Sequence, residues 1–189
     1  MSEKRFDTSL LDRAILFAVQ AHSGVERRGK GFPYVVHPME AMAIAATMTS
    51  DQEVLAAAAL HDVVEDTDVT LEDLRSRFGD RVAMLVDTES DRPGLREDWR
   101  ARKEDSLKRL SEASRDEKIV ALGDKLSNMR AIARDYTTEG EVFWNRFLVK
   151  DKSVHAWRYH ALADALSSLS DTYAWQEFKF LVDRIFTKE

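Results

Sequence analysis

The chain has 189 residues, 44% hydrophobic and 33% charged, with seven glycines, three prolines and no cysteine. That length suits one domain around one core, the mix excludes a low-complexity or disordered chain, and the lack of cysteine excludes disulfides and thiolate metal sites and fits a reducing, cytoplasmic setting. A net charge of −6 argues against a binder of long nucleic acid, whose affinity rests on a broad basic surface.

No membrane association is expected. The longest charge-free run, residues 41–50, is far too short to cross a bilayer, and the polar, charged residues 1–7 lack the apolar core of a signal peptide. Positive charge is local, in Arg27, Arg28 and Lys30 and again in Arg100, Arg102 and Lys103. Small clusters on an acidic background suit a small polyanionic ligand or a solvated surface.

The periodicity is helical almost throughout. Leu11, Ala14, Ile15, Ala18, Val19 and His22 share one helix face, with Thr8 or Ser9 placed to cap it. A second helix starts at His37-Pro38, where proline is tolerated in the first turn, and carries a stripe of Met39, Met42, Ala43 and Ala46. Ser50 or Asp51 caps a third helix that runs through Leu55 and Leu60 to about Glu65. Thr70 and Asp73 open a short helix that Gly79 ends.

Residues 90–94 (SDRPG) read as a loop, followed by a polar helix from about Arg96 to Leu110. Ile119, Leu122, Leu126, Met129 and Ala133 define an amphipathic helix begun near Ser114. Thr138 and Glu141 read as a capping box for a short helix bearing Phe143, Trp144 and Phe147. Two last helices span Trp157–Leu169 and Trp175–Phe186. These aromatics, with Trp175, Phe178 and Phe180, are expected in the core. The reading is an all-α, single-domain bundle of about ten helices over residues 1–189, with its core at about 8–170 and a C-terminal helix at about 172–187.

The chemistry concentrates in Ala59-Leu60-His61-Asp62-Val63-Val64-Glu65-Asp66-Thr67. Four ionisable groups lie within six residues at the end of an alanine-rich, apolar helix. His61 and Glu65 are four apart, as are Asp62 and Asp66, so each pair falls on one side of a continuous helix. Charges in such a setting are costly unless paired or bound to metal. His37, in Gly31-Phe32-Pro33-Tyr34-Val35-Val36-His37-Pro38, and Asp124, in Leu122-Gly123-Asp124-Lys125-Leu126-Ser127-Asn128-Met129-Arg130, complete a set of two imidazoles and two carboxylates. Taken alone, His37 reads equally as a helix cap and Asp124 as a solvated residue. Together the four suit a first-row divalent ion better than calcium, with positions left for water and a substrate oxygen.

The order H…HD…D resembles the HD superfamily of metal-dependent phosphohydrolases. The segments 28–38, 59–67, Phe78-Gly79 and 122–130 are similar to the hydrolase domain of RelA/SpoT proteins, and especially to stand-alone small alarmone hydrolases; residues 157–163 match more weakly. The resemblance implies an all-helical HD fold and one Mn²⁺ held by His37, His61, Asp62 and Asp124. It also implies that Glu65 and Asp66 act on the nucleophilic water, and that Arg28, Lys30, Asn128 and Tyr159 contact the nucleotide.

The implied reaction is hydrolysis of the 3′-pyrophosphate of (p)ppGpp to pyrophosphate and GDP or GTP. The remaining residues are too few for a synthetase domain, so degradation alone is expected. Three departures from the family pattern surround the expected substrate pocket: Gly29 interrupts the basic pair, Glu89-Ser90-Asp91 replaces the usual Val-Thr-Asp, and the segment 143–160 differs. They leave open (p)ppApp, NADPH or a nucleoside monophosphate as substrate, and a catalytically silent binding domain as a third reading. Homo-oligomerisation is left open as well.

Overall fold

The segment Gln52–Leu60 is apolar all round, with residues 54 to 60 all buried, a pattern a helix sustains only at the centre of a protein. The computed structural model, which describes residues 7–88 and 99–186, builds the remaining elements around it. In chain order the helices are α1 (Ser9–Ala21), α2 (Val36–Ala45), α3 (Gln52–Leu60), α4 (Val63–Asp66), α5 (Leu71–Phe78), α6 (Asp80–Asp87), α7 (Trp99–Glu112), α8 (Arg115–Glu139), α9 (Lys152–Ala165) and α10 (Tyr173–Phe186). Two 3-10 helices, Gly140–Arg146 and Ser167–Leu169, flank α9. Among the described residues there is no strand, only an isolated bridge between Glu26 and Pro33. The all-α expectation holds.

Helix α3 packs against α1, α2, α6 and α8, while α8 also carries α10. Helices α2 and α8 approach closely. A Cβ placed on Gly123 would lie 2.6 Å from the carbonyl oxygen of Ala41, so only glycine lets the two backbones meet there. This contact sets Asp124, the next residue, against the first turn of α2, where His37 lies.

Local signals anticipated most helix ends. Asp51 caps α3 by accepting from the Glu53 N–H at 2.9 Å. Thr70/Asp73 and Ser114/Glu117 form reciprocal capping boxes on α5 and α8. Gly79 ends α5 at a φ of +94°, where a side chain would be strained. The same residue opens α6, a helix the sequence left unassigned although Val82, Ala83, Leu85 and Val86 are all buried.

Several expectations need correction. The third helix does not continue to Glu65: it stops at Leu60, and a separate single turn, α4, begins at Val63. Thr138 and Glu141 form no capping box, because α8 runs on to Glu139 and a 3-10 helix follows with no side-chain cap. Thr8 does not cap α1 either; its hydroxyl donates to Asp12 at 2.8 Å. Along α2 the buried residues are His37, Pro38, Ala41, Ile44 and Ala45, while Ala43 and Ala46 face solvent. The expected helix from Trp157 begins at Lys152 and passes into the 3-10 turn at Ser167.

Phe143, Trp144 and Phe178 are buried as expected, but Phe180 is 62% exposed. It lies two residues from Phe178, and one helix cannot turn both to the same face. The loop at 90–94, the departure at 89–91 and the start of the polar helix at Arg96 lie outside the described residues.

Candidate functional site

Four of the expected ligands converge. His37 Nε2 lies 3.4 Å from Asp62 Oδ2 and 3.1 Å from Asp124 Oδ1, and His61 Nε2 lies 3.1 Å and 3.6 Å from the same two oxygens. Three elements bring them together: the first turn of α2, the break between α3 and α4, and the middle of α8. The helix assignment is interrupted at His61 and Asp62, which keep right-handed helical backbone angles, and both side chains meet Asp124 or His37 in the cluster. His37, His61 and Asp124 are buried and Asp62 is half-buried.

The protonation pattern fits a cation. His61 Nδ1 lies 2.8 Å from the carbonyl oxygen of Ala58. A carbonyl only accepts, so this nitrogen carries the proton and a neutral ring presents a bare Nε2 to the cluster. His61 Nε2 is buried and makes no hydrogen bond. Lone pairs of nitrogen and carboxylate oxygen pointing at one another are unfavourable unless a proton or a metal ion lies between them.

Burial alone would lower the His61 pKa, yet Asp62 and Asp124 raise it well above the ordinary value. Burial would likewise raise both carboxyls, but His61 and His37 hold Asp62 well down. For Asp124, Lys125 outweighs burial with help from both histidines. Groups that favour a shared proton this strongly favour a divalent ion in its place. His37, His61 and Asp62 each offer a ligand atom, all mutually within 4.8 Å, and this group could hold a metal ion. Asp124, which is not in that group, turns Oδ1 to both imidazoles, while its Oδ2 is held by Lys125 at 2.5 Å.

Glu65 and Asp66 sit on α4, exposed beside the cluster. Tyr34 connects them to it, for its hydroxyl donates to Asp62 Oδ2 at 2.7 Å and also lies against Asp66. Burial, with the charges of Asp62 and Asp66, pushes the Tyr34 phenol far up, so it remains a donor. Beneath Tyr34 lies the ring of His22, with centroids 4.7 Å apart. Tyr34 stood in a quoted motif with no role attached; its signal was position, three residues before His37.

A cavity of about 640 Å³ adjoins Asn128. Arg27, Arg28, Lys30, Arg146 and Arg158 contribute cations to its lining, and Trp99, Phe147 and Tyr159 contribute aromatic surface. Of the expected contact residues, Arg28 is exposed on the rim, Lys30 is half-buried and ion-paired with Asp135, and Tyr159 is largely core, stacked on Phe186 at 5.6 Å. Asn128 donates to Asp124 Oδ1 at 2.5 Å and accepts from Arg27 at 2.6 Å.

Arg27 is therefore the basic residue turned inward, its guanidinium also 5.0 Å from the Tyr34 ring centroid. The sequence reading expected Arg28 to contact substrate, and Arg28 lines the same cavity. Arg100 lies over Trp157, at 3.3 Å, and pairs with Glu104. A larger, more open groove of about 1230 Å³ runs past Trp157 and His160, and contains none of the clustered ligands.

Among the described residues, no helix is long and apolar enough to cross a membrane. Comparison with known proteins agrees with the site. Over 126 residues, 65% of its length, the chain is 40% identical to a guanosine-3′,5′-bis(diphosphate) 3′-pyrophosphohydrolase of Vibrio cholerae. Over 126 residues it is 38% identical to the bifunctional (p)ppGpp synthase/hydrolase SpoT of Escherichia coli K12. In both cases the chain spans 18% of the relative's length.

Two solved structures share the fold. One is described as a metazoan ortholog of SpoT that hydrolyzes ppGpp and plays a role in starvation responses; it has a TM-score of 0.74 and 26% identity, with 96% of each chain covered. The other, from Listeria monocytogenes EGD-e, has a TM-score of 0.73 and 28% identity, covering 80% of this chain and 99% of that one. A family model for the HD domain matches residues 14–146. With the histidines and the His61-Asp62 pair at the centre of that match, the chain belongs to the HD domain family.

Proposed function

We propose that this protein hydrolyses the 3′-pyrophosphate of (p)ppGpp with a bound divalent ion, Mn²⁺ in the first instance. The observation that carries the reading is the convergence of His37 Nε2, His61 Nε2, Asp62 Oδ2 and Asp124 Oδ1 beside a cavity lined by five cationic side chains. The curated relatives named for this activity, and the metazoan structure covering 96% of both chains, support the substrate.

His37, His61, Asp62 and Asp124 would hold the ion. A divalent ion there supplies Lewis acidity, neutralising charge that builds on the phosphoryl oxygens and acidifying water. Glu65 or Asp66, both exposed on α4 beside the cluster, would take the proton from the attacking water. The 3′-oxygen–phosphorus bond breaks, the pyrophosphate departs with the water's oxygen, and the ribose 3′-oxygen regains a proton. Arg27, Arg28 and Lys30 balance the negative charge of the substrate phosphates, and Arg27 also fixes the amide of Asn128. Aromatic surface from Tyr159 and its neighbours receives the nucleoside. The absence of cysteine fits a reducing, cytoplasmic setting.

Purified protein incubated with Mn²⁺ and ppGpp should yield GDP and pyrophosphate. Folded, metal-loaded protein without turnover would overturn the assignment. A panel of ppGpp, ppApp, NADPH and nucleoside monophosphates on the same sample separates the alarmone from the other phosphohydrolase substrates.

A further inference from the structure

Behind His37 runs a connected line of polar groups that the proposed reaction does not use. His37 Nδ1 lies 2.8 Å from Ser127 Oγ, and Ser127 Oγ donates to Glu40 Oε2 at 2.8 Å. The other oxygen of Glu40 accepts from Arg130 at 3.1 Å. Arg130 in turn is held by Glu177 on α10 through two bonds of 2.7 Å. The line starts at a buried imidazole and hydroxyl, 4% and 2% exposed, and ends on a half-buried carboxylate. It joins α2, α8 and α10.

The order of donors follows from one proton count. A hydroxyl has a single hydrogen. Glu40 carries no proton of its own to give while it accepts from Arg130, so the Ser127 hydrogen goes to Glu40. Ser127 Oγ can then only accept from His37. The His37 ring therefore keeps a proton on Nδ1, and Nε2, which faces Asp62 and Asp124, is the nitrogen that a metal ion can take. His61 reaches the same state through a backbone carbonyl, but His37 depends on two side chains from two helices.

We propose that Ser127 and Glu40, anchored by Arg130 and Glu177, are positioning residues that set the tautomer and orientation of His37 and thereby the affinity of the metal centre. The proposal rests on the metal-centre reading above. Hydrogen-bonded partners behind a metal-binding imidazole contribute about 10- to 100-fold in metal affinity. The effect is indirect: none of the four residues reaches the substrate cavity's reacting end, and metal supplied in excess should compensate for their loss.

Two measurements test it. Nitrogen-15 histidine spectra of metal-free protein, taken at a pH where the His37 ring is neutral, should show the Nδ1–H tautomer, and Ser127→Ala should mix the two forms. Glu40→Gln is the sharper change. Its amide oxygen faces Arg130 and its NH₂ faces Ser127, so the hydroxyl hydrogen turns to His37 Nδ1 and the ring proton moves to Nε2, against the ligands. Mn²⁺ affinity should fall by about 10- to 100-fold in both variants, more in Glu40→Gln, with kcat at saturating Mn²⁺ within a few-fold of the parent and a smaller affinity loss in Glu177→Gln.

A structural role alone would lower the melting temperature of the metal-free protein without moving tautomer or affinity. An unchanged His37 tautomer together with parental Mn²⁺ affinity in Ser127→Ala and Glu40→Gln would overturn the proposal. If the parent itself binds no divalent ion, the metal-centre reading falls, and the tautomer in metal-free protein still decides for or against the positioning role.

Discussion

The ligand cluster and the substrate cavity meet at Asn128 but are built on different principles. The cluster is held by backbone approach and buried hydrogen bonds: Gly123 against Ala41, His61 against a carbonyl of its own helix, and His37 against Ser127. The cavity is walled by the 27–30 loop, α8, the 3-10 helix at Gly140–Arg146 with the residues after it, and α9, with long cationic side chains that share ion-pair partners, as Lys30 and Arg146 do with Asp135. In the proposed function, the ligand atoms belong to the buried, closely packed region and charge recognition to side chains that are partly exposed. Changes in the first region should therefore strike metal binding and turnover, and changes in the second should strike substrate affinity alone.

The largest expected effect is that of Asp124→Ala, which removes a ligand that His37, His61, Lys125 and Asn128 all face. Metal affinity should drop by more than about 100-fold, beyond what loss of a supporting contact causes, and turnover should vanish with it. Mn²⁺ titration alongside the ppGpp assay decides this; retained tight binding would remove Asp124 from the ligand set.

Glu65→Gln should separate chemistry from metal. The expected loss in kcat is about 10²- to 10⁴-fold, the scale of a general base, with Mn²⁺ still bound. An active Glu65→Gln protein would shift the proton-accepting role to Asp66.

In the cavity, Arg27→Ala and Arg28→Ala test which arginine faces the substrate. Loss of a charged hydrogen bond of about 1.5–3 kcal/mol should raise KM for ppGpp by about 10- to 100-fold in Arg27→Ala. The exposed Arg28 should give a smaller rise, and neither variant should alter metal affinity. Equal effects would show that both arginines reach the phosphates.

Gly123→Ala probes the packing beneath the cluster. The new methyl meets the Ala41 carbonyl, so α2 and α8 must separate at a cost of about 1–3 kcal/mol, readable in urea unfolding. Metal affinity should fall too, because the same shift moves His37 away from Asp124. Undiminished stability would mean that α2 yields without strain.

The smallest effect is that of pH. Asp62 and Asp124 raise the His61 pKa in the metal-free protein, so a proton competes with the ion to higher pH than at an ordinary histidine. Apparent Mn²⁺ affinity should rise as the pH rises through that raised value and level off above it. Affinity independent of pH would exclude His61 as a ligand.

Much of this was legible in the sequence because it is local. Helical periodicity, the caps at Asp51, Thr70 and Ser114 and the turn at Gly79 follow from residue types a few positions apart, while the candidate ligands His37, His61, Asp62 and Asp124 were grouped by the resemblance of their motifs. The His61-Asp62 motif could be recognised without knowing that the helix breaks beneath it. That break was not legible, since an alanine-rich run has every local reason to continue; pairing with α2 and α8 overrides it. Nor could periodicity distinguish Arg27 from Arg28, for adjacent residues point apart and only the placement of Asn128 decides which one turns inward. Phe180 shows the same limit, being apolar yet facing water.

The sequence by itself determined a helical chain with two imidazoles and a set of carboxylates, because short-range periodicity suffices for helices, while the HD family entered through the resemblance of its motifs. Tertiary structure alone decided how those residues meet. The approach of α2 to α8 at Gly123, the inward turn of Arg27 and the line from His37 through Ser127 and Glu40 to Glu177 depend on residues as far as 140 positions apart in the chain. Their energies depend on distances of a few ångströms, which no spacing along the chain encodes.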